Sequence, residues 1–191
     1  MNFFCLAFFI TALQINISWW GNYLIKLIGM LFFVLGILEV SCFNSGFRRF
    51  KMPAVAVAGL SAVGAVCFAV MSAAGASKNA LNIAGIAFGV VVTLSALAFQ
   101  KPIIRDIAAD KELVNDVSLV KRFSKSWDKL AIITLANLVC DIVNRLAAAK
   151  VLVDYSGLLM AISKILMYIF ALVILFQANK IRVDHNKKHS A

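Results

Sequence analysis

Residues 23–51 read YLIKLIGMLFFVLGILEVSCFNSGFRRFK, an apolar stretch followed at once by a basic cluster. A transmembrane helix needs about 20 apolar residues, because each residue rises about 1.5 Å and the hydrocarbon core is about 30 Å thick. Lysine and arginine concentrate in the cytoplasmic loops of membrane proteins. This stretch therefore predicts both a membrane-spanning helix and the side of the membrane on which it ends.

The same alternation of apolar and basic sequence continues to the end of the chain. Six spans fit it, at residues 3–20, 23–43, 53–75, 81–100, 130–153 and 155–178. Short turns join them in pairs, which predicts an all-α bundle of three helical hairpins in a single membrane domain, residues 1–191. Fourteen lysines and arginines fall on one side, against Lys78 and Lys150 on the other. We expect an integral protein of the plasma (inner) membrane with both termini cytoplasmic.

The composition excludes a water-soluble fold. The chain is 62% hydrophobic and 15% charged, which leaves too little polar sequence to cover an outer surface in water. The net charge of +10 would suggest a nucleic-acid partner in a soluble protein. Here most of the excess lies on the side predicted to face the cytoplasm, where it meets anionic lipid headgroups. The expected partner is the lipid bilayer, and nucleic acid is not expected.

The segment at residues 101–129, between the fourth and fifth spans, is amphipathic. Its apolar side chains recur near helical spacing among charged residues: Val114, Val117, Val120, Phe123 and Trp127. Such a pattern predicts a cytoplasmic amphipathic helix that lies against the headgroups or docks a partner protein. A basic cytoplasmic tail is expected at residues 179–191.

Small residues recur every four positions in the third and fourth spans: Ser61, Ala65 and Ala69, then Gly85 and Gly89. In lipid, such stripes let helix backbones approach closely. They predict helix packing at the centre of the bundle or at a seam between two copies of the chain.

The fifth span is unusually polar, and the sixth carries a lysine at a similar depth. The candidate ligand-binding residues are Asn137, Asp141, Asn144, Arg145, Lys164 and Tyr168. Asp141 and Arg145 are four residues apart and are expected to form an ion pair, with Lys164 as the third member of one network. Lys26, near the outer end of its span, is expected to extend its ammonium to the membrane surface. Charged residues inside a membrane are candidates for function.

Two cations and one carboxylate leave this network with excess positive charge. The sequence therefore predicts binding or transport of a small solute, an anionic one if that charge is unbalanced. The alternative is a non-catalytic accessory or regulatory subunit that docks a membrane or cytoplasmic protein through residues 101–129. No catalytic motif is present, so we do not expect an enzyme. Cys5, Cys42, Cys67 and Cys140 form no CxxC pair, and neither a metal nor a cofactor is expected.

Overall fold

The computed structural model describes residues 3–4, 6–7, 10, 19–109, 116–146 and 150–189. Apart from short turns, this part of the chain is helical and contains no strand. Its α-helices are α1 (Trp19–Ser41), α2 (Lys51–Ala73), α3 (Lys78–Ala109), α4 (Val117–Leu146) and α5 (Lys150–His189), and a 3₁₀ helix (Ser45–Phe50) joins α1 to α2. The all-α prediction is confirmed.

The helices run in alternate directions, so that α1, α3 and α5 all begin at one end of the bundle, here the turn end. Tyr23 of α1 stacks on Phe68 of α2 there, with ring centroids 5.1 Å apart. Its hydroxyl donates a hydrogen bond of 3.3 Å to the carbonyl oxygen of Gly85 in α3. The first helix thus fastens the second and third together.

The opposite end of the bundle, here the basic end, holds the clustered lysines and arginines. Arg49 of the 3₁₀ helix forms an ion pair with Asp106 of α3. The Nζ atom of Lys101 lies 3.1 Å from Oδ1 of Asp128, which joins α3 to α4. These pairs are partly exposed and tie neighbouring helices loosely.

Residues from both ends of the chain lie at the basic end. The backbone N–H of Phe3 donates to Oε2 of Glu39 near the end of α1, at 3.3 Å. The ring of His185 packs edge-on against Phe43, with centroids 5.1 Å apart. Because Glu39 and Phe43 both lie at the C-terminal end of α1 or just beyond it, Phe3 and His185 lie at the same end of the bundle.

Within the described residues, four helical stretches are long and apolar enough to cross a membrane: Tyr23–Ser41, Ser45–Ala73, Lys78–Ile107 and Leu152–Lys187. They correspond to the second, third, fourth and sixth predicted spans, as expected of a membrane-embedded protein. The first predicted span lies largely outside the described residues. The fifth corresponds to part of α4, whose apolar sequence is interrupted by Asp141 and Arg145.

The fourth predicted span ends at residue 100, but α3 continues through Pro102 to Ala109. Proline lacks the N–H for one helical hydrogen bond, and in a helix interior it costs about 3 kcal/mol. The residues that follow offset this cost, because Ile103, Ile104 and Ile107 are at most 4% exposed and belong to the main core.

The prediction of a separate amphipathic helix at residues 101–129 is wrong. Residues 101–109 continue α3, α4 begins at Val117, and Val114 lies outside the described residues. The apolar stripe of Val120, Phe123 and Trp127 is buried in the main core, within the chain itself. The basic end is therefore a continuation of the bundle: α5 alone has 40 residues, about 60 Å of helix against about 30 Å of hydrocarbon.

Two helix ends in the bundle show ordinary capping chemistry. Asp116 precedes α4, and its carboxylate accepts the backbone N–H of Ser118 at 2.9 Å. Hydrogen bonding with Ser118 holds the pKa of the Asp116 carboxyl below its usual value. Gly75 ends α2 with a φ of 69°, a left-handed conformation that a residue with a side chain rarely adopts.

Candidate functional site

A ladder of polar side chains joins α4 to α5. Ser163 Oγ donates to Asn137 Oδ1 at 2.8 Å, and both side chains are buried. Ser156 Oγ lies 3.4 Å from Asn144 Oδ1, one heptad nearer the turn end. Asn137 and Asn144 thus act as hydrogen-bonding partners between helices, which satisfies polar groups inside the bundle.

Sequence analysis identified the two asparagines but missed their serine partners. The available signal was spacing, because Ser156 and Ser163 are separated by the same seven residues as Asn137 and Asn144. In two antiparallel helices, equal spacing lets both pairs meet in one register.

The predicted ion pair within α4 is confirmed. Arg145 Nε lies 2.9 Å from Asp141 Oδ2, and the two side chains are 24% and 29% exposed. Tyr23, at the start of α1, is close enough to interact electrostatically with both charges, and Lys26 is close enough to interact with Asp141. The pair therefore lies towards the turn end of the bundle, where α1 begins.

Lys164 does not join this pair: among the described residues, no ion pair connects its ammonium to Asp141. Ser163 occupies the position of α5 that faces Asn137, and the next residue is turned about 100° away. In this register Lys164 also lies five residues, about 7.5 Å, from the level of Asp141. Tyr168, one turn beyond Lys164, is 39% exposed. The predicted network of Asp141, Arg145 and Lys164 is reduced to its first two members.

The ammonium of Lys26, on α1, points into the bundle. It donates a hydrogen bond of 3.1 Å to Thr93 Oγ1 on α3 and lies 5.9 Å from the centre of the Tyr23 ring. The expectation that this side chain extends to the membrane surface is therefore wrong. Lys26 is three residues after Tyr23 and four before Met30, on the face that α1 buries in the bundle.

Lys26 lines a cavity of about 50 Å³ at the centre of the bundle. A water molecule needs roughly 10–15 Å³ by this measure, so the space suits a few waters or one small ion. The other polar residues that line it are Ser61, Thr93, Gln100, Trp127 and Thr134. Gln100 is held by the indole N–H of Trp127, which donates to its Oε1 at 2.9 Å.

The predicted small-residue stripe of the third span is only partly inside. Ser61 is fully buried and donates to the Val57 carbonyl at 2.9 Å. Ala65 packs against the cluster formed by Tyr23 and its neighbours, whereas Ala69 is exposed. The buried face of α2 thus includes Ser61 and Ala65 of the predicted stripe but not Ala69.

Gly85 and Gly89 adjoin a tyrosine. The Gly85 carbonyl accepts the Tyr23 hydroxyl, and a Cβ at Gly89 would lie 3.9 Å from that oxygen, an ordinary contact distance. The closest approach involves Gly64, which sequence analysis did not single out: a Cβ there would lie 2.8 Å from Tyr23 Cδ1. Gly64 is thus the glycine whose missing side chain the Tyr23 ring requires.

The central cavity brings an ammonium, two threonine hydroxyls and an amide together in an apolar surrounding. Such groups can bind a small polar or anionic species by charge and hydrogen bonds. Comparison of the chain with protein-family models, with curated proteins and with solved structures gives no match.

Proposed function

We propose that this protein binds a small anion inside the membrane, at the central cavity beside Lys26, and passes it across the bilayer. The observation that carries the proposal is the inward position of the Lys26 ammonium, which lines the cavity and hydrogen-bonds Thr93. A charge inside a membrane is costly and is characteristic of substrate and ion pathways. An anion in the cavity would compensate that charge.

The charge balance around the cavity supports an anion over a cation. Among the described residues that line it, Lys26 carries the only charge, and Asp141, which does not line it, pairs with Arg145 at 2.9 Å. The Lys26 ammonium therefore has no carboxylate beside it among the described residues of the cavity lining. The cavity of about 50 Å³ suits ions of the size of chloride or bromide.

The proposal includes six crossings in three hairpins, with both termini cytoplasmic in a plasma membrane. Fourteen basic residues against two support this orientation by the positive-inside rule. The position of Phe3 and His185 at one end of the bundle supports an even number of crossings. In this arrangement α4 is the fifth crossing, and its polar face is covered by α5.

A second candidate is a non-catalytic accessory subunit, favoured by the pairing along the α4–α5 seam. Asn137 bonds Ser163 and Asp141 pairs with Arg145, so these groups need no solute. Docking through the predicted amphipathic stripe is not part of this candidate, because Phe123 is 3% exposed. A partner would have to bind elsewhere on the basic end.

Chloride efflux from liposomes containing the purified protein separates the two candidates. We expect wild-type protein to release chloride, Lys26→Gln to lose most of that efflux, and Lys164→Gln to retain it. Lys164 is the matched control, because it is a half-buried lysine in an apolar helix away from the cavity. Thermal unfolding in detergent would check that both variants fold. Equal efflux from Lys26→Gln and wild type would contradict the anion site, and no efflux above empty liposomes would favour the accessory role.

A further inference from the structure

A second feature lies between α3 and α4, where a groove of about 1210 Å³ opens at the basic end. Its walls are apolar on the side towards the middle of the membrane, and Ile132 there is 67% exposed. The apolar wall residues are Leu94, Leu97, Ala98, Ala131, Ile132 and Leu135. In a bilayer this part of the groove is open to lipid acyl chains.

The rim of the groove is charged and carries excess positive charge. Arg49 pairs with Asp106 and Lys101 with Asp128, while Arg105 is exposed and forms no ion pair among the described residues. Three cations against two carboxylates leave one net positive charge. Arginine donates in a planar fork that matches phosphate oxygens.

The order of these groups along α3 follows the order of groups in a phospholipid. Leu94 lies about 10 Å deeper than Lys101 along the helix, and Arg105 is about one turn further towards the basic end. On α4 the same order holds, because Leu135 and Ile132 lie deeper than Asp128. The apolar wall and the basic rim of the groove therefore meet at the level expected for the boundary between the hydrocarbon core and the headgroups.

We propose that this groove binds an anionic phospholipid, with an acyl chain against Leu94, Ile132 and Leu135 and its phosphate at Lys101 and Arg105. Basic pockets between transmembrane helices are suited to anionic headgroups. The site is separate from the central cavity: Leu97 and Trp127 line both and stand between them. Lipid binding in the groove can therefore be tested independently of anion binding in the central cavity.

Native mass spectrometry of the detergent-solubilised protein, titrated with phosphatidylglycerol or phosphatidylcholine, tests the site. We expect wild type to retain phosphatidylglycerol in preference to phosphatidylcholine. Arg105→Gln should weaken phosphatidylglycerol binding about fivefold, the effect of one basic residue near a headgroup. Arg48→Gln is the control, an exposed arginine at the same end that does not line the groove.

Two further arms locate the lipid and identify its source. Ile132→Trp should reduce phosphatidylglycerol retention by filling the apolar wall, and folding should be unaffected because Ile132 is exposed. Inorganic phosphate at millimolar concentration should leave lipid binding unchanged. Equal weakening by Arg48→Gln and Arg105→Gln, or equal retention of the two lipids, would overturn the proposal. Displacement of the lipid by free phosphate would also overturn it and assign the rim to the free ion.

Discussion

At the scale of single residues, two side chains of α1 organise the interior of the bundle. Tyr23 contacts α2 through Phe68 and α3 through the Gly85 carbonyl, and Lys26 reaches Thr93 one turn further along. Tyrosine and lysine both combine an apolar body with a polar tip. Both can therefore pack against apolar helices while their polar atoms bond inside the bundle.

The contact of Tyr23 with Gly64 leads to a stability prediction. Gly64→Ala should destabilise the protein by about 1–3 kcal/mol, because its Cβ would lie 2.8 Å from a ring that Phe68 already holds in place. Gly59→Ala is the matched control, since nothing lies within 4 Å of its Cβ. Alanine there should be neutral or stabilise the helix by up to about 1 kcal/mol. Unfolding in mixed micelles measures both, and equal behaviour would show that the Tyr23 ring does not approach Gly64.

The ion pair within α4 predicts a specific coupling. In a double-mutant cycle, Asp141→Asn and Arg145→Gln should be non-additive by about 0.5–3 kcal/mol, because their charged atoms lie 2.9 Å apart. Asp141→Asn and Lys164→Gln should add to within about 0.5 kcal/mol. Thermal unfolding in detergent supplies all the free energies. Strong coupling of Asp141 to Lys164 would restore the network expected from the sequence and contradict the register of α4 and α5.

Sequence reasoning identified the Asp141–Arg145 pair but chose the wrong third residue. Depth along the chain favoured Lys164, yet depth does not specify the face of a helix. For Lys26, the buried face of the helix could be predicted from the sequence. The spacing alternates between three and four residues along Tyr23, Lys26, Met30, Phe33 and Ile37. Lysines near the end of a membrane helix are expected to extend their ammonium to the membrane surface. This expectation does not hold for a lysine on the buried face of the helix.

At the scale of elements, α4 depends on its neighbours more than the other helices do. Its apolar half carries Asp141 and Arg145, and each charged residue costs about 2.5–3.5 kcal/mol at the bilayer centre. The polar face of this half is covered by α5 through Asn137–Ser163. If α4 is the proposed fifth crossing, we expect it to be stable in the membrane only when paired with α5.

The other half of α4 predicts a spectroscopic result. Trp127 is 4% exposed and donates to Gln100, so its fluorescence should resist quenching by aqueous iodide. The variant Trp19→Phe/Trp20→Phe isolates its signal, and emission is followed as iodide is added in detergent. A reporter at an exposed position of the same helix, Lys125→Trp with Trp127→Phe, should be readily quenched. Equal quenching of the two reporters would contradict burial of the α4 stripe.

Periodicity in the sequence established that residues 117–129 are helical but not what covers them. An apolar stripe of Val120, Phe123 and Trp127 fits a membrane surface, a partner or the chain's own core equally well. The stripe belongs to the same core as residues from distant segments, including Phe47, Phe50 and Ile181. Such long-range packing leaves no local signal, and for the same reason the sequence placed the end of α3 too early, at residue 100.

At the scale of the whole molecule, apolar length predicted most of the architecture. Four predicted spans have counterparts in the apolar helices of the described residues, because burial in lipid demands about 20 apolar residues whatever the packing. The fifth span was the hardest to predict from apolar length, because Asp141 and Arg145 interrupt its apolar sequence. Side-chain contacts within the bundle depend on helix rotation, which apolar length does not determine.

The orientation of the molecule predicts a labelling pattern. In a background lacking Cys5, Cys42, Cys67 and Cys140, Lys78→Cys should react with an impermeant thiol reagent in intact cells, and Lys121→Cys should react only after the cells are opened. The reason is the excess of basic residues at the end that holds Lys121. Labelling of position 121 and not 78 in intact cells would reverse the proposed orientation.

The most direct test of the central claim, that a small anion binds beside Lys26, is anomalous diffraction from crystals grown in sodium bromide. We expect a bromide peak within hydrogen-bonding distance of Lys26 Nζ, inside the cavity that Thr93 also lines, and its loss in Lys26→Gln. Bromide peaks elsewhere on the protein, with none beside Lys26, would contradict this claim.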